Sequence, residues 1–139
     1  MSVTLLTWNI QWGLGVDRRR DVARILDHAR GMADFDVLCL QEVAAGFDDL
    51  EGLNGVDGFA EIAALMPGFA AIEGIAVDLP GANGARRRFG GMIVSRLPVQ
   101  RVIRHALPWF GDARSNMPRV LIEATVTTRA GPLRVMTTH

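Results

Sequence analysis

The chain has 139 residues, enough for one domain, and its 15 basic residues, all arginine, balance 15 acidic ones to a formal net charge of +0. That balance excludes a global electrostatic footprint for nonspecific nucleic-acid binding, although individual arginines remain suited to holding one phosphate. A single cysteine, Cys39, excludes an internal disulfide and points to a reducing, cytoplasmic setting.

The N-terminus has no basic segment followed by a long apolar core, so no signal peptide is read there. No apolar run approaches the ~18 residues that span a bilayer. The apolar fraction of 49%, with 15 glycines besides, is high for a small finished domain. Abundant alanine or a missing partner layer each account for it. The use of arginine alone is either a compositional bias or, at individual positions, a choice for bidentate phosphate contacts.

Val3 to Ile10 reads as a strand, ended by Gly13 and Gly15. Asp17 is the expected N-cap of a helix over about Arg18 to Ala33, with Val22, Ile25, Leu26, Ala29 and Met32 on one face. The arginines 18, 19, 20 and 24 then fall on a solvated face. Asp36 precedes a second strand, Val37 to Gln41, whose unbroken apolar run suits burial on both faces. Strand, helix, strand makes a βαβ-like opening, in a parallel or a mixed sheet. Cys39 reads as a small core residue rather than a nucleophile.

A Gly/Asp-rich loop follows from Gly46 to Gly58, then a short helix, about Phe59 to Met66. Strands are expected near Phe69–Val77, Gly91–Ser95, Val99–Ala106, Val120–Thr128 and Leu133–Thr138. Pro80 to Arg88 reads as a mobile loop, and Ala130-Gly131-Pro132 as a tight turn. The chain ends at His139, directly after an apolar strand, where a natural terminus usually trails into a polar segment. The expectation is a partial domain over residues 1–139, truncated at its C-terminal end.

Three blocks place polar residues at strand ends, where α/β architectures put their sites: Thr7-Trp8-Asn9-Ile10-Gln11, Leu38-Cys39-Leu40-Gln41-Glu42-Val43 and Met136-Thr137-Thr138-His139. A carboxylate at the end of a buried strand needs a partner. The second block offers no Lys or Arg, and a hard cation is one natural partner. Mg²⁺ prefers oxygen ligands, commonly one or two carboxylates with waters and substrate phosphate, so Glu42 and the carbonyl oxygen of Asn9 are the candidate metal contacts.

Trp8-Asn9-Ile10, Leu40-Gln41-Glu42-Val43, the segment Gly90-Gly91-Met92-Ile93-Val94-Ser95-Arg96-Leu97-Pro98-Val99 and Thr138-His139, in that order, resemble the endonuclease/exonuclease/phosphatase superfamily. The resemblance runs over essentially the whole chain. It departs at Gly91, where the family frequently has Asn. It implies an α/β fold, the N-terminal part of a four-layer α/β/β/α sandwich (DNase I-like) with the C-terminal half absent.

The resemblance also implies roles. Glu42 matches the principal Mg²⁺ carboxylate, with Mn²⁺ as a substitute, and Asn9 the Asn near metal and scissile phosphate. Gln41 is expected behind Glu42, steadying it. His139 matches a His that contacts the scissile phosphate and protonates the leaving oxygen. Arg119 resembles an Arg that grips substrate phosphate, or is a strand-edge surface charge. The implied activity is metal-dependent hydrolysis of a phosphoric ester, as phosphodiesterase, nuclease or phosphatase. The candidate substrates are nucleic acid, a lipid head group or an inositol phosphate.

The family's Gly-Asp-x-Asn and Ser-Asp-His blocks, which supply the water-activating pair, have no counterpart here; neither His28 nor His105 has a suitable Asp. The resemblance therefore implies that this chain alone is inactive without the C-terminal half of the domain. The alternative is a non-catalytic remnant that binds or scaffolds a partner.

Overall fold

The computed structural model describes residues 2–111 and 117–139. Two sheets pack face to face, and two helices cover the outer face of the first.

The first sheet contains β1 (Leu5–Asn9), β2 (Val37–Ala45), β3 (Ala70–Pro80) and β4 (Arg86–Ser95), in the order β1-β2-β4-β3. β1 and β2 are parallel, joined by the crossover helix α1 (Val22–Met32), while β4 runs antiparallel to both of its neighbours. The sheet is thus mixed, built on a βαβ opening. The second sheet, β5 (Val99–Ala106), β6 (Val120–Thr128) and β7 (Gly131–Thr137), is antiparallel throughout.

The unbroken apolar run of β2 has a direct cause. Val37 and Cys39 face the second sheet, packing with Ile72, Ile93, Ile122, Ala124, Val126 and Val135. Leu38 and Leu40 face the other way, onto Leu26 and Ala29 of α1 and onto Phe59 and Ile62 of α2 (Gly58–Leu65). A strand buried on both faces has no side to give to polar residues. β1 carries polar residues on its inward side because little lies beneath it: Leu5, in register with Val37, is 47% exposed.

Gly74 and Gly91 are register partners on the inner face of the first sheet. A Cβ on Gly74 would lie 2.3 Å from Ile122 of the second sheet. Their bareness lets the sheets approach.

Several sequence expectations shift. Helix α1 begins at Val22, and its cap is Asp21, whose carboxylate accepts Arg24 N–H at 2.9 Å, not Asp17. Asp17 caps a preceding turn by accepting Arg19 N–H, and the Arg24 guanidinium holds its pKa down to about 2. Arg18, Arg19 and Arg20 therefore precede the helix rather than line it. The expected loop from Pro80 to Arg88 shrinks to residues 81–85, because β3 runs to Pro80 and β4 starts at Arg86, forming a long hairpin closed by a single helical turn at Ala82–Gly84. The arginines of that hairpin hold structure: Arg86 pairs with Asp78, and Arg88 with Asp57 and Glu73, while Arg87 stacks over Phe47. The β6–β7 turn falls at Arg129-Ala130, one residue before the expected position. Among the described residues no helix is long and apolar enough to cross a membrane.

Candidate active site

Glu42 does not follow β2; it sits inside it. β2 continues to Ala45 because β4 goes on pairing beyond Gln41, and the register shifts between Gln41 and Val43. Glu42 is the extra residue of that bulge, with φ at 56°. A bulge re-aims a side chain out of the alternation of its strand. A left-handed backbone at a non-glycine residue is uncommon, and functional sites concentrate such conformations.

Two residues converge on Glu42. Asn9, the last residue of β1, donates from Nδ2 to Oε1 at 3.1 Å. His139, two residues past β7, places Nε2 3.2 Å from the same oxygen. At that separation a protonated His139 imidazole forms an ion pair with the Glu42 carboxylate. Asn9 Oδ1 accepts the backbone N–H of Gln11 at 3.2 Å. Because that N–H can only donate, it fixes which way the Asn9 amide faces. Asn9 therefore meets Glu42 as a hydrogen-bond donor, and its oxygen points toward the Gln11 turn.

Gln41 faces the gap between the sheets. Its Nε2 donates to Thr7 Oγ1 at 3.1 Å and to Thr137 Oγ1 at 3.0 Å. It steadies the site by tying β2 to β1 and β7, not by touching the Glu42 carboxylate. Thr138 Oγ1 donates to Val120 O at 2.9 Å, anchoring the segment that carries His139 to β6. Arg119, which donates to Met117 O at 3.0 Å, lines a cleft with Gln41, Gly90, Gly91, Thr138 and His139. Asn9 opens instead onto a neighbouring groove, shared with Trp8, Gln11 and His28. Asn9, Glu42, His139, Gln41 and Arg119 thus gather at one end of the sandwich.

His105 lies elsewhere. On the outward face of the second sheet its Nε2 is 3.0 Å from Glu123, a carboxylate also flanked by Arg101 and Arg134. Cys39 is buried, and burial pushes its thiol up to about 11, which suits a core residue and not a nucleophile. Sequence reasoning missed the anchoring roles of Thr7, Thr137, Thr138 and the Gln11 N–H. All lie within the motif blocks, but the partners of the three threonines are distant in the chain, and the Gln11 contact depends on a left-handed turn.

The donor set fits a hard cation of low coordination demand on the protein. Among the described residues no group of three or more His, Cys, Asp or Glu side chains could hold a metal ion. Mg²⁺ does not need one, since it commonly binds one carboxylate and keeps several waters. Glu42, with its side chain 21% exposed and its contacts with Asn9 and His139 both on Oε1, leaves Oε2 for such a contact.

Comparison with known proteins bears on the family and the fold. The model of a family described as Endonuclease/Exonuclease/phosphatase family matches residues 6–132. A solved structure of an endonuclease/exonuclease/phosphatase from Beutenbergia cavernae DSM 12333 superposes with a TM-score of 0.76 at 27% identity, over 99% of this chain and 38% of that one. An endonuclease/exonuclease/phosphatase family protein from Leptotrichia buccalis C-1013-b superposes with a TM-score of 0.65 at 15% identity, over 99% of this chain and 55% of that one; this likeness concerns the fold alone. The chain thus spans less than two thirds of either solved relative. No curated protein matches it.

Proposed function

Because the chain belongs to the endonuclease/exonuclease/phosphatase family, we propose that it supplies the Glu42–His139 side of a divalent-cation-dependent phosphoric-ester hydrolase site. The observation that carries this reading is the convergence of Asn9 Nδ2 and His139 Nε2 on one oxygen of Glu42, at 3.1 and 3.2 Å. Three elements distant in sequence deliver those groups to a single point, and a left-handed bulge aims the carboxylate there.

In this proposal Glu42 holds Mg²⁺, or Mn²⁺ in its place. When bound, the ion polarises a phosphoryl oxygen and stabilises charge on the leaving oxygen. Asn9 keeps the carboxylate oriented. Arg119 offers a planar, permanently charged donor to a phosphate in the cleft. His139 carries a proton at Nε2, on the cleft wall shared with Arg119, where it can be passed to a leaving oxygen. The substrate is a phosphate ester, with nucleic acid, lipid head groups and inositol phosphates as the candidates. The share of each solved relative that the chain covers, 38% and 55%, supports reading it as one portion of a larger catalytic domain, inactive by itself.

Mn²⁺ titration by electron paramagnetic resonance tests the proposal on the chain itself. Saturable binding, competed by Mg²⁺ and abolished in Glu42→Gln, is expected. Equal binding by wild type and Glu42→Gln would favour the non-catalytic alternative.

A further inference from the structure

Arg20 stands outside the cleft, yet among the described residues it is the most deeply buried of the ion-paired arginines, with its side chain 9% exposed. Its guanidinium serves two partners at once. Nε donates to Trp12 O at 2.9 Å, and Nη2 to Glu61 Oε2 of α2 at 2.6 Å. The carbonyl it holds belongs to an unusual turn. Gln11 and Trp12 both have φ at 46°, two successive left-handed residues, neither of them glycine. L-residues avoid that region, so the surroundings must hold the turn in place.

The holding contacts are visible. Trp12 Nε1 donates to Glu51 O at 3.0 Å on one side, and Arg20 grips Trp12 O on the other. Gly13, at φ 97°, closes the turn; a Cβ there would lie 2.6 Å from Val22 and 3.3 Å from the stem of Arg20. The output of the turn is the direction of the Gln11 N–H, which meets Asn9 Oδ1 at 3.2 Å and so turns Nδ2 toward Glu42.

We propose that Arg20 is a positioning residue of the site: its guanidinium clamps the left-handed Gln11-Trp12 turn and thereby sets which face of the Asn9 amide meets Glu42. The part of this proposal that concerns a cation rests on the reading of Glu42 given above; the part that concerns the Asn9 amide does not. A planar fork is needed because two acceptors, a carbonyl and a carboxylate, lie in different directions. A lysine ammonium at this position keeps a charge beside Glu61 but loses the second arm.

The test uses the ¹⁵N-labelled chain, with the Asn9 side-chain amide signals identified by their loss in Asn9→Ala, and Mn²⁺ titration in parallel. In Arg20→Gln and Arg20→Lys the Asn9 amide signals are expected to shift and exchange faster, and Mn²⁺ affinity to fall about 10-fold. Glu61→Gln, which removes the ion pair but leaves the bond to Trp12 O, is expected to lower the melting temperature and move neither readout. If Arg20→Gln fails to fold, Arg20→Lys decides on the same two readouts.

Unchanged Asn9 signals and unchanged Mn²⁺ affinity in a folded Arg20 variant overturn the proposal. So does an equal change in Glu61→Gln, since that marks a merely structural role. Glu42→Gln, run alongside, separates the two readings. If it abolishes Mn²⁺ binding while the Arg20 variants behave as wild type, only the role of Arg20 fails. If it leaves Mn²⁺ binding intact, the cation site itself fails, and the Asn9 signals still judge Arg20.

Discussion

Gln41 Nε2 lies 3.0 Å from Thr137 Oγ1, across the seam where the two sheets meet. The same nitrogen reaches Thr7 Oγ1 at 3.1 Å, so one amide ties β1, β2 and β7 together immediately before the bulge that carries Glu42. It is the point at which the packing of the sandwich and the geometry of the candidate site become one problem.

Gln41→Leu keeps the side-chain volume and removes both bonds. The Thr137 hydroxyl, on a buried residue, is left without this partner. A loss of about 1–2 kcal/mol is expected, as for neutral hydrogen bonds with one partly buried partner left unsatisfied. Urea unfolding read by tryptophan fluorescence measures it; an unchanged midpoint would remove the seam from the account of stability.

Gly74→Ala places a Cβ 2.3 Å from Ile122 Cγ1, across the sheet interface. Overpacking of this kind costs roughly 1–3 kcal/mol. Ile122→Ala creates the opposite defect, a void. Combined, the two are expected to be less destabilising than the sum of the singles, because each relieves the other. Thermal unfolding of all four proteins in the double-mutant cycle reads the coupling, and strict additivity is the contrary result.

Asp36 links the start of β1 to the end of β4. Its Oδ2 accepts Thr4 N–H at 2.8 Å and its Oδ1 accepts Arg96 Nε at 3.0 Å. The Thr4 bond, then the Arg96 bond and charge, hold its carboxyl below the ordinary value of 3.8. A depressed folded value means that the ionised group favours the folded state. That contribution is full above the unfolded value and fades as pH falls through the folded one. Asp36→Asn is therefore expected to cost about 1–2 kcal/mol at neutral pH. The gap to wild type should close in acid, below the ordinary value. Chemical denaturation across a pH series reads this, and a gap that persists at the acid end would contradict it.

Cys39 is 2% exposed and its thiol is pushed up to about 11 by burial. At pH 8 a thiol-directed reagent should label it only through opening of the structure, orders of magnitude more slowly than in denaturant. Labelling of the native chain at the unfolded rate would show that the space between the sheets is open.

Much of the fold was legible in the residues. The apolar run Val37-Leu38-Cys39-Leu40 announced a strand buried on both faces, and the period-two alternation of Val120, Ile122, Ala124 and Val126 announced a strand with one inward face. These patterns are local, and burial imposes them residue by residue. Helix starts were less legible. Asp17 and Asp21 are both cap-forming residues ahead of an apolar face, and only the fold of the Gly13–Arg20 turn selects Asp21. The hairpin from Pro80 to Arg88 read as loop because Gly, Asn and Arg disfavour strands. The pairing of β3 with β4 draws Pro80 and Arg86 to Arg88 into strand, while residues 81–85 stay as the connecting turn.

By itself the sequence determined the periodicities, the order of the strands along the chain and the three polar blocks that mark the family, because each is written in residues a few positions apart. Only the tertiary structure decided that Glu42 lies in a bulge, that His139 returns to it across 97 positions of sequence, and that Arg20 is buried beneath the Trp12 turn rather than solvated on a helix. Those facts depend on strand register and on the closing of one sheet over another. A chain fixes such long-range geometry only once its distant parts are packed together.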